Sequence, residues 1–256
     1  MEKYTYLSEA VKIKTISEDA KSGSFEIAGL FSGYGMTIGN ALRRALLASL
    51  PGAAITGFKV KGVPHEFTTI PGVKEDVVEI SLNLKKIRFK LHTDQPQILS
   101  LKTKGEKIVT AADIKLNSEV EVVNPEEVIA TLTEKNTELD MEITVEKGLG
   151  YSSVESRKES DKLEIGIIAI DSFFSPVVRV SYNIENMRIG DRTDYNMLKI
   201  EIETDGTVSP SDALHKSANI LSDHFKIISG VEVGEFEESK EKKSTPKTKK
   251  KETKKE

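Results

Sequence analysis

Residues 33–52 are the most informative part of the sequence for the fold. They are Gly33-Tyr34-Gly35-Met36-Thr37-Ile38-Gly39-Asn40-Ala41-Leu42-Arg43-Arg44-Ala45-Leu46-Leu47-Ala48-Ser49-Leu50, followed by Pro51-Gly52. This stretch predicts a helix that continues to Leu50, because proline and glycine together are a strong helix stop. One face at helical spacing holds Ile38, Ala41, Leu42, Ala45, Leu46 and Ser49, and a second face adds Met36, Leu47 and Leu50. A surface helix has a wider polar side than this one. The helix is therefore expected to be buried on more than one side.

A second helix is predicted near the end of the chain. Ser209 is a candidate N-cap, Pro210 suits the first helical position and Asp212 lies three residues after the cap. Gly230 is a suitable stop. The predicted helix carries one apolar stripe, made of Leu214, Ala218, Leu221, Phe225 and Ile228, and a second made of Ile220 and Ile227.

Most of the remaining chain has a strand pattern. A hairpin is predicted before the first helix, with strands at residues 11–16 and 25–31. Apolar alternation predicts further strands at residues 55–61, 87–91, 139–145, 163–170, 177–184 and 198–203. Residues 73–84 predict a short helix, and the polar residues 152–162 predict a mobile loop.

The two ends of the chain carry the long helices, whereas the middle is rich in strands. We therefore predict an α+β fold in which residues 1–50 and 173–233 form one subdomain, with two helices on a small antiparallel sheet. Residues 51–172 form an inserted strand-rich subdomain. Because both helices have excess apolar surface, the simplest arrangement is a symmetric homodimer in which each helix pairs with its copy. Residues 234–256 cannot bury a core and predict a disordered, lysine-rich tail.

Composition excludes several classes of protein. The 256 residues include no cysteine, which excludes a disulfide framework, a thiolate zinc site, an iron–sulfur cluster and a cysteine nucleophile. No apolar stretch reaches the ~18 residues of a membrane span, and the polar start lacks a signal peptide, so a cytoplasmic protein is expected. Residues 235–256 hold nine lysines and six acidic residues. Of the 37 basic and 41 acidic residues in the whole chain, 28 basic and 35 acidic ones therefore belong to residues 1–234, a net charge of −7. This acidic body argues against a protein that coats nucleic acid.

The residues do not predict an active site. Residues 33–39 suggest a phosphate-binding loop, but the dinucleotide fingerprint has two residues between its second and third glycines and this run has three. No acid occurs from residue 27 to residue 65 to hold a ribose. The four histidines match no metal or triad spacing, and no Asp-x-Asp pair or Walker-type loop occurs. We expect no catalytic, metal or cofactor site. The alternative is a nucleotide-dependent enzyme that uses residues 33–39.

Two adjacent arginines lie in the acid-free stretch. Burying an apolar helix with Arg43 and Arg44 is costly unless carboxylates pair with them. Because adjacent helical residues point about 100° apart, the two side chains cannot share one role. One reading is that one arginine pairs within the fold while the other faces a partner. The other is that both extend into solvent.

Several blocks of sequence resemble one known family. They are the glycine-to-arginine stretch quoted above, His65-Glu66-Phe67, Gly72-Val73-Lys74-Glu75-Asp76 with Leu82-Asn83-Leu84-Lys85, Val109-Thr110-Ala111-Ala112-Asp113-Ile114, Ser175-Pro176-Val177, Arg192-Thr193-Asp194 and Glu203-Thr204-Asp205-Gly206-Thr207. The blocks occur in family order and cover nearly all of residues 1–233. By them the chain resembles the bacterial and plastid RNA polymerase alpha subunit, rather than its archaeal or nuclear counterpart.

The resemblance implies the alpha amino-terminal domain, a dimeric platform on which the beta and beta-prime subunits assemble. It implies no active site in the chain itself. The second arginine of the helix motif, Arg44, would support beta binding, together with Leu47 and Asn40. Lys85 would contact beta-prime, as would Ile170. The omega subunit, a sigma factor and, through the complex, DNA are the other implied partners, and no membrane is.

The resemblance also implies where two copies meet. The expected dimer interface consists of Ile38, Leu42, Leu46, Leu214, Leu221 and Phe225. The family normally adds a linker and a carboxy-terminal domain that binds DNA, whereas here only the lysine-rich tail follows Gly234. Direct DNA reading is therefore not expected of this chain. A turn often written Arg-Gly-Arg-Gly-Tyr is here Lys147-Gly148-Leu149-Gly150-Tyr151, which has one positive charge fewer.

Overall fold

The computed structural model describes residues 9–158 and 166–231. The first half contains β1 (Lys12–Glu18), β2 (Ser22–Leu30), α1 (Tyr34–Ala48), β3 (Pro51–Val60), α2 (Val77–Leu84), β4 (Phe89–Leu91), β5 (Gln97–Lys104), β6 (Lys107–Thr110), a 3-10 turn (Ala111–Asp113), β7 (Ile114–Lys115), β8 (Val120–Val122) and β9 (Val128–Leu132). The second half contains β10 (Glu138–Leu149), β11 (Tyr151–Ser152), α3 (Val154–Lys158), β12 (Ile168–Ala169), β13 (Ser172–Phe173), β14 (Val177–Ile189), β15 (Arg192–Thr204) and α4 (Pro210–Ser229).

The two ends of the chain build one unit, which we call the platform. Its antiparallel sheet has the strand order β1-β2-β15-β14, so strands from both ends of the sequence pair directly. Ile27 lies opposite Leu198, and Phe25 lies opposite Ile200. Helices α1 and α4 contact each other and cover one face of this sheet. The core between helices and sheet is made of Phe25, Ile27, Leu30, Leu42, Leu46, Leu50, Val177, Val180, Leu198, Ile200, Ile202, Ala213 and Leu214.

The middle of the chain builds a strand-rich unit with a core of its own. Its main sheet has the order β7-β5-β10-β3-β4-β8, and β12 also pairs with β3. Helix α2 packs against β9. The buried residues of this second core all lie between Ile55 and Ile170, and none belongs to the platform core. Mixed helices and antiparallel sheets confirm the predicted α+β class.

The helix ends follow their local signals. In α4 the hydroxyl of Ser209 accepts a hydrogen bond from the backbone N–H of Asp212 at 3.2 Å, Pro210 opens the helix and Gly230 caps it. These residues were the predicted start and stop, so the prediction is confirmed. Helix α1 ends at Ala48, slightly before the predicted Leu50. The predicted lysine-rich tail lies outside the described residues.

The prediction of a helix over residues 73–84 was wrong at its start. The helix begins only at Val77, because the Asp76 carboxylate accepts the backbone N–H of Glu79 at 2.7 Å and caps it there. The residues before it are tied to β9 instead. The carboxylate of Glu75 accepts both the backbone N–H and the hydroxyl of Thr131, at 2.6 Å and 2.9 Å. Tertiary hydrogen bonds therefore replace the first helical turn.

The prediction of a mobile loop at residues 152–162 was also wrong over its described part. Residues 154–158 form α3, whose first backbone N–H, that of Val154, is accepted by the Asp171 carboxylate at 2.9 Å. Arg157 donates hydrogen bonds to the backbone carbonyls of Thr56 and Ile170. In the described part of the strand predicted at residues 163–170, only Ile168–Ala169 is strand. Residues 159–165 lie outside the described ranges.

Candidate protein interaction surfaces

Helix α1 presents to solvent a face that combines polar and apolar side chains. Its buried side rests on the sheet through Gly35, Gly39, Leu42 and Leu46, with Ala45 also buried. The opposite side carries Asn40 and Arg44, both exposed, together with the half-buried Leu47 and with Met36, which is 65% exposed. We call these four residues the outward face of α1. Among the described residues Arg44 has no hydrogen bond or ion pair, so its full charge is available to a partner.

The neighbouring arginine has a different environment. Arg43 donates a hydrogen bond from Nε to the carbonyl of Val180 on the edge strand β14, at 3.3 Å. The roughly 100° between successive helical side chains separates it from Arg44. One arginine therefore binds within the fold while the other points away from it. The structure agrees with the expectation that one of the two arginines binds within the fold, and a partner for the other stays a prediction.

The predicted beta-prime residue Lys85 lies at the end of α2. Its ammonium group pairs with the Asp171 carboxylate at 3.5 Å, and its side chain is 34% exposed. The hydrogen bond from the backbone N–H of Val154 lowers the pKa of Asp171, and the charge of Lys85 lowers it further. Partial desolvation and the same carboxylate raise the pKa of Tyr151. A hollow of about 300 Å³ beside this pair is lined by Ala54, Ile55, Lys85, Ile87, Tyr151, Asp171, Ser172 and Phe173.

The second predicted beta-prime residue, Ile170, is buried. Only 4% of it is exposed, and it belongs to the strand-rich core. Its backbone N–H donates to the carbonyl of Thr56 at 3.1 Å. Ile170 therefore offers almost no area to another chain. The neighbouring side chains reach the surface instead, since Asp171 is half-buried and Phe173 is exposed.

The six residues of the predicted dimer interface fall into two groups. Leu42, Leu46 and Leu214 are buried in the platform core of a single chain. These three side chains therefore have almost no surface to offer to a second chain. Ile38 and Leu221 are half-buried, and Phe225 is 61% exposed, so this second group has surface to offer.

Helix α4 is anchored most firmly through its first turns, and the half-buried Ile220 and Leu221 also pack against the platform core. Its buried residues are Pro210, Ala213, Leu214 and Ser217, and no side chain of the helix after Ser217 is buried. The last twelve residues, 218–229, extend about 18 Å. We call them the projecting half of α4. Its apolar side chains are Ile220, Leu221, Phe225, Ile227 and Ile228, the last three of them exposed.

The start of α1 does not form an open phosphate site. A helix N-terminus binds an anion through its free backbone N–H groups. Here the side-chain oxygen of Asn196 accepts the N–H of Gly33 at 2.9 Å and that of Gly35 at 3.4 Å. These donors of the glycine run are already occupied. The arrangement does not support the alternative of a nucleotide-dependent enzyme.

The described ranges contain neither a cluster of metal-binding side chains nor a helix that could span a membrane. Across residues 9–158 and 166–231, no group of three His, Asp or Glu side chains is placed to bind a metal ion. No helix in the same ranges is long and apolar enough to cross a membrane.

Sequence reasoning missed two residues that shape these surfaces. Asp171 holds Lys85, and nothing in its local sequence indicates this. Asn196 had a usable signal, because it lies at a buried position of β15 and asparagine is depleted in strands. An asparagine in the apolar phase of a strand needs a buried polar partner.

Comparison with known proteins identifies the family. A family model described as the RNA polymerase Rpb3/RpoA insert domain matches residues 55–175. The DNA-directed RNA polymerase subunit alpha of Moorella thermoacetica is 48% identical over 223 residues, which are 87% of this chain and 71% of that protein. The chain belongs to the family of DNA-directed RNA polymerase alpha subunits. The resemblance seen in the sequence blocks is confirmed, and with it the role in transcription.

Other alpha subunits agree over the same part of the chain. That of Desulforamulus reducens is 48% identical over 221 residues, covering 86% of this chain and 70% of its own length. That of a Roseiflexus species is 49% identical over 217 residues, covering 85% and 66%. The match to the insert domain spans the buried residues of the strand-rich core, Ile55 to Ile170.

Proposed function

We propose that this alpha subunit is a non-catalytic assembly platform, a homodimer that binds the beta and beta-prime subunits of RNA polymerase. Residues 1–50 with 173–233 would form the dimerisation subdomain, and residues 51–172 the inserted one. Family membership supports the proposal, and the observation that carries it is the pair of helical faces on one unit that the described residues leave partly exposed. The catalytic groups would come from the large subunits, and the enzyme would work in the cytoplasm with omega, sigma and DNA.

The projecting half of α4 supports the homodimer. Leu221, Phe225 and Ile228 recur at helical spacing; Leu221 is half-buried against the platform core, whereas Phe225 and Ile228 are 61% and 64% exposed among the described residues. Contiguous exposed apolar surface of this kind marks a protein interface. Its continuity with the contact between α1 and α4 suggests a second copy, in which both helices meet their equivalents about a twofold axis. Ile38, half-buried on α1, would join the same interface.

The outward face of α1 supports a different partner. It combines the exposed polar side chains of Asn40 and Arg44 with the apolar Leu47 and the exposed Met36. A guanidinium that is free of internal partners can bind a carboxylate through two parallel hydrogen bonds. We assign this face to the beta subunit, which would present an acidic or carbonyl-rich surface to Arg44.

The end of α2 is assigned to beta-prime. Lys85 lies at the rim of the hollow with Asp171 and the exposed ring of Phe173. Because Lys85 is already paired, its partner must either displace Asp171 or bind both charges together. Ile170 would support this surface from the core.

Replacement of Arg44 by alanine tests the proposed beta contact. Arginine anchors at interfaces are often worth about 2 kcal/mol or more, so capture of purified beta subunit should weaken by about 30-fold. The dimer should persist in sedimentation, because Arg44 is not one of the residues proposed for the dimer interface. Arg43→Ala is the matched control and should retain beta binding. Equal loss in both variants, or none in Arg44→Ala, would refute the assignment.

A further inference from the structure

Helix α1 lacks a cap from its own sequence. The residue at its N-cap position, Gly33, has no side chain to accept a hydrogen bond, and its φ of 85° is in the left-handed region. No acidic residue occurs in the first turn either. The first backbone N–H groups of a helix have no partner within the helix, so an acceptor must come from elsewhere.

Asn196 supplies that acceptor from the middle of β15. Its Oδ1 lies 2.9 Å from the backbone nitrogen of Gly33, which is 163 residues away in sequence, and 3.4 Å from that of Gly35. Its Nδ2 donates to the side-chain oxygen of Asn186 on β14 at 3.2 Å. Both ends of the amide are thus engaged. Only 8% of Asn196 is exposed, so the contact is shielded from competing water.

The neighbouring glycines fix the height of α1 above the sheet. A Cβ added at Gly35 would come within 3.0 Å of both Asn196 Cβ and Ile184. At Gly39 it would come within 3.0 Å of Leu198 and Tyr182. The helix backbone therefore rests directly on β14 and β15. The glycines set its distance from the strands, while Asn196 fixes the end of the helix.

The strand end that carries Asn196 is itself held to the residues before α1. The guanidinium of Arg192 lies 4.7 Å from the ring centre of Phe31 and 5.3 Å from that of Tyr195. Asp194 binds the same guanidinium through both carboxylate oxygens, at 3.0 Å and 2.7 Å. The cluster holds the hairpin end of β15 close to the start of α1.

We propose that Asn196 is a positioning residue for the beta contact, acting through the start of α1 on Asn40 and Arg44. The inference rests on the proposed function of that face. Arg44 lies about 16 Å along the helix from Gly33, too far for direct contact with the cap. Without the cap the first turn loses its anchor on β15, α1 then rests on the sheet through Gly39, Leu42 and Leu46, and the tilt of the helix that places Arg44 is less restricted. The cap thus limits how accurately Arg44 meets its partner.

A double-mutant cycle in the full chain tests this role. We expect Asn196→Ala to weaken binding of purified beta subunit by about 10-fold in calorimetry, while the dimer persists. Asn196→Asp keeps an acceptor for the two N–H groups and should stay within about 3-fold of the unaltered chain. In an Arg44→Ala background, Asn196→Ala should add less than about 2-fold, because both changes remove one contact. Asn183→Ala, on the exposed face of β14, is the matched control.

The possible failures can be told apart. Equal effects of Asn196→Ala with and without Arg44 would overturn the positioning role, as would equal loss in the alanine and aspartate variants. If Arg44→Ala alone leaves binding unchanged, the proposed function fails and the positioning role fails with it. Amide hydrogen exchange at residues 33–37 reports the cap separately. It should accelerate in Asn196→Ala and not in Asn196→Asp, and unchanged exchange in the alanine variant would overturn the cap itself.

Discussion

The outward face of α1 and the projecting half of α4 are both partly exposed helix surfaces of the platform, yet the first has a charged side chain, Arg44, at its centre, whereas the second carries an apolar stripe. Helix α1 is held along its length by the sheet and shows solvent a face of polar and apolar side chains centred on Arg44. Helix α4 has no fully buried residue after Ser217, its last core contacts are those of Ile220 and Leu221, and beyond them it exposes apolar side chains such as Phe225. The contrast suggests two partners. An apolar stripe suits permanent burial against its own copy, whereas a charged face suits a different chain that the dimer recruits.

The largest expected effect is on the α4 side of this comparison. Leu221→Asp places an unpaired charge in the proposed dimer interface, which costs about 3–5 kcal/mol. Sedimentation should show dissociation into single chains, with the platform still folded. Asn219→Asp adds the same charge on the opposite side of the helix and should leave the dimer intact. Dissociation in both variants, or in neither, would contradict the proposal that only the Leu221 side of α4 lies in the dimer interface.

An intermediate effect is expected where α1 meets its sheet. Gly39→Ala forces a methyl group to within 3.0 Å of Leu198 and Tyr182, and overpacking of this kind costs about 1–3 kcal/mol. The free energy of unfolding in urea should fall by that amount. Ser222→Ala, on the exposed part of α4, should change it by less than about 0.5 kcal/mol. Equal changes at the two sites would mean that α1 is no more tightly held than the projecting half.

The smallest effect concerns Lys85, a cation with an internal partner, in contrast to Arg44. The hydrogen bond from Val154 and the charge of Lys85 lower the folded-state pKa of Asp171 below 3.8. Its stabilisation is therefore complete above that value and is lost as the pH falls through the folded pKa. In Asp171→Asn the loss of stability below pH ~4 should be shallower by roughly 0.2–1 kcal/mol, the range for exposed pairs. Urea titrations at pH 3 and 7 measure it. Identical pH dependence of the unfolding free energy in both proteins would show that the Asp171 carboxylate does not stabilise the fold.

Sequence patterns predicted the features that depend on neighbouring residues. The N-cap at Ser209, the stop at Gly230 and the apolar faces of α1 all follow from local spacing. The late start of α2 did not, because Glu75 bonds to a strand more than fifty residues away. The cap on α1 was equally hidden, since its acceptor Asn196 comes from the other end of the chain.

The interface residues show the same limit. An apolar stripe indicates burial but does not say what buries it. Leu42, Leu46 and Leu214 are covered by the chain's own sheet, whereas Phe225 on the same predicted interface is not. The family resemblance predicts Ile170 as a contact residue, and in the structure its side chain belongs to the strand-rich core. Whether a helix continues over its sheet or leaves it is decided by tertiary packing, which residue spacing alone does not specify.

The proposed homodimer requires that the projecting half of α4 contacts a second copy of this chain. Sedimentation equilibrium of the unaltered full-length chain, without any other subunit, tests it most directly. If the chain is a homodimer, we expect a single species of twice the mass of one chain throughout the micromolar range. A species with the mass of one chain across that range would contradict it.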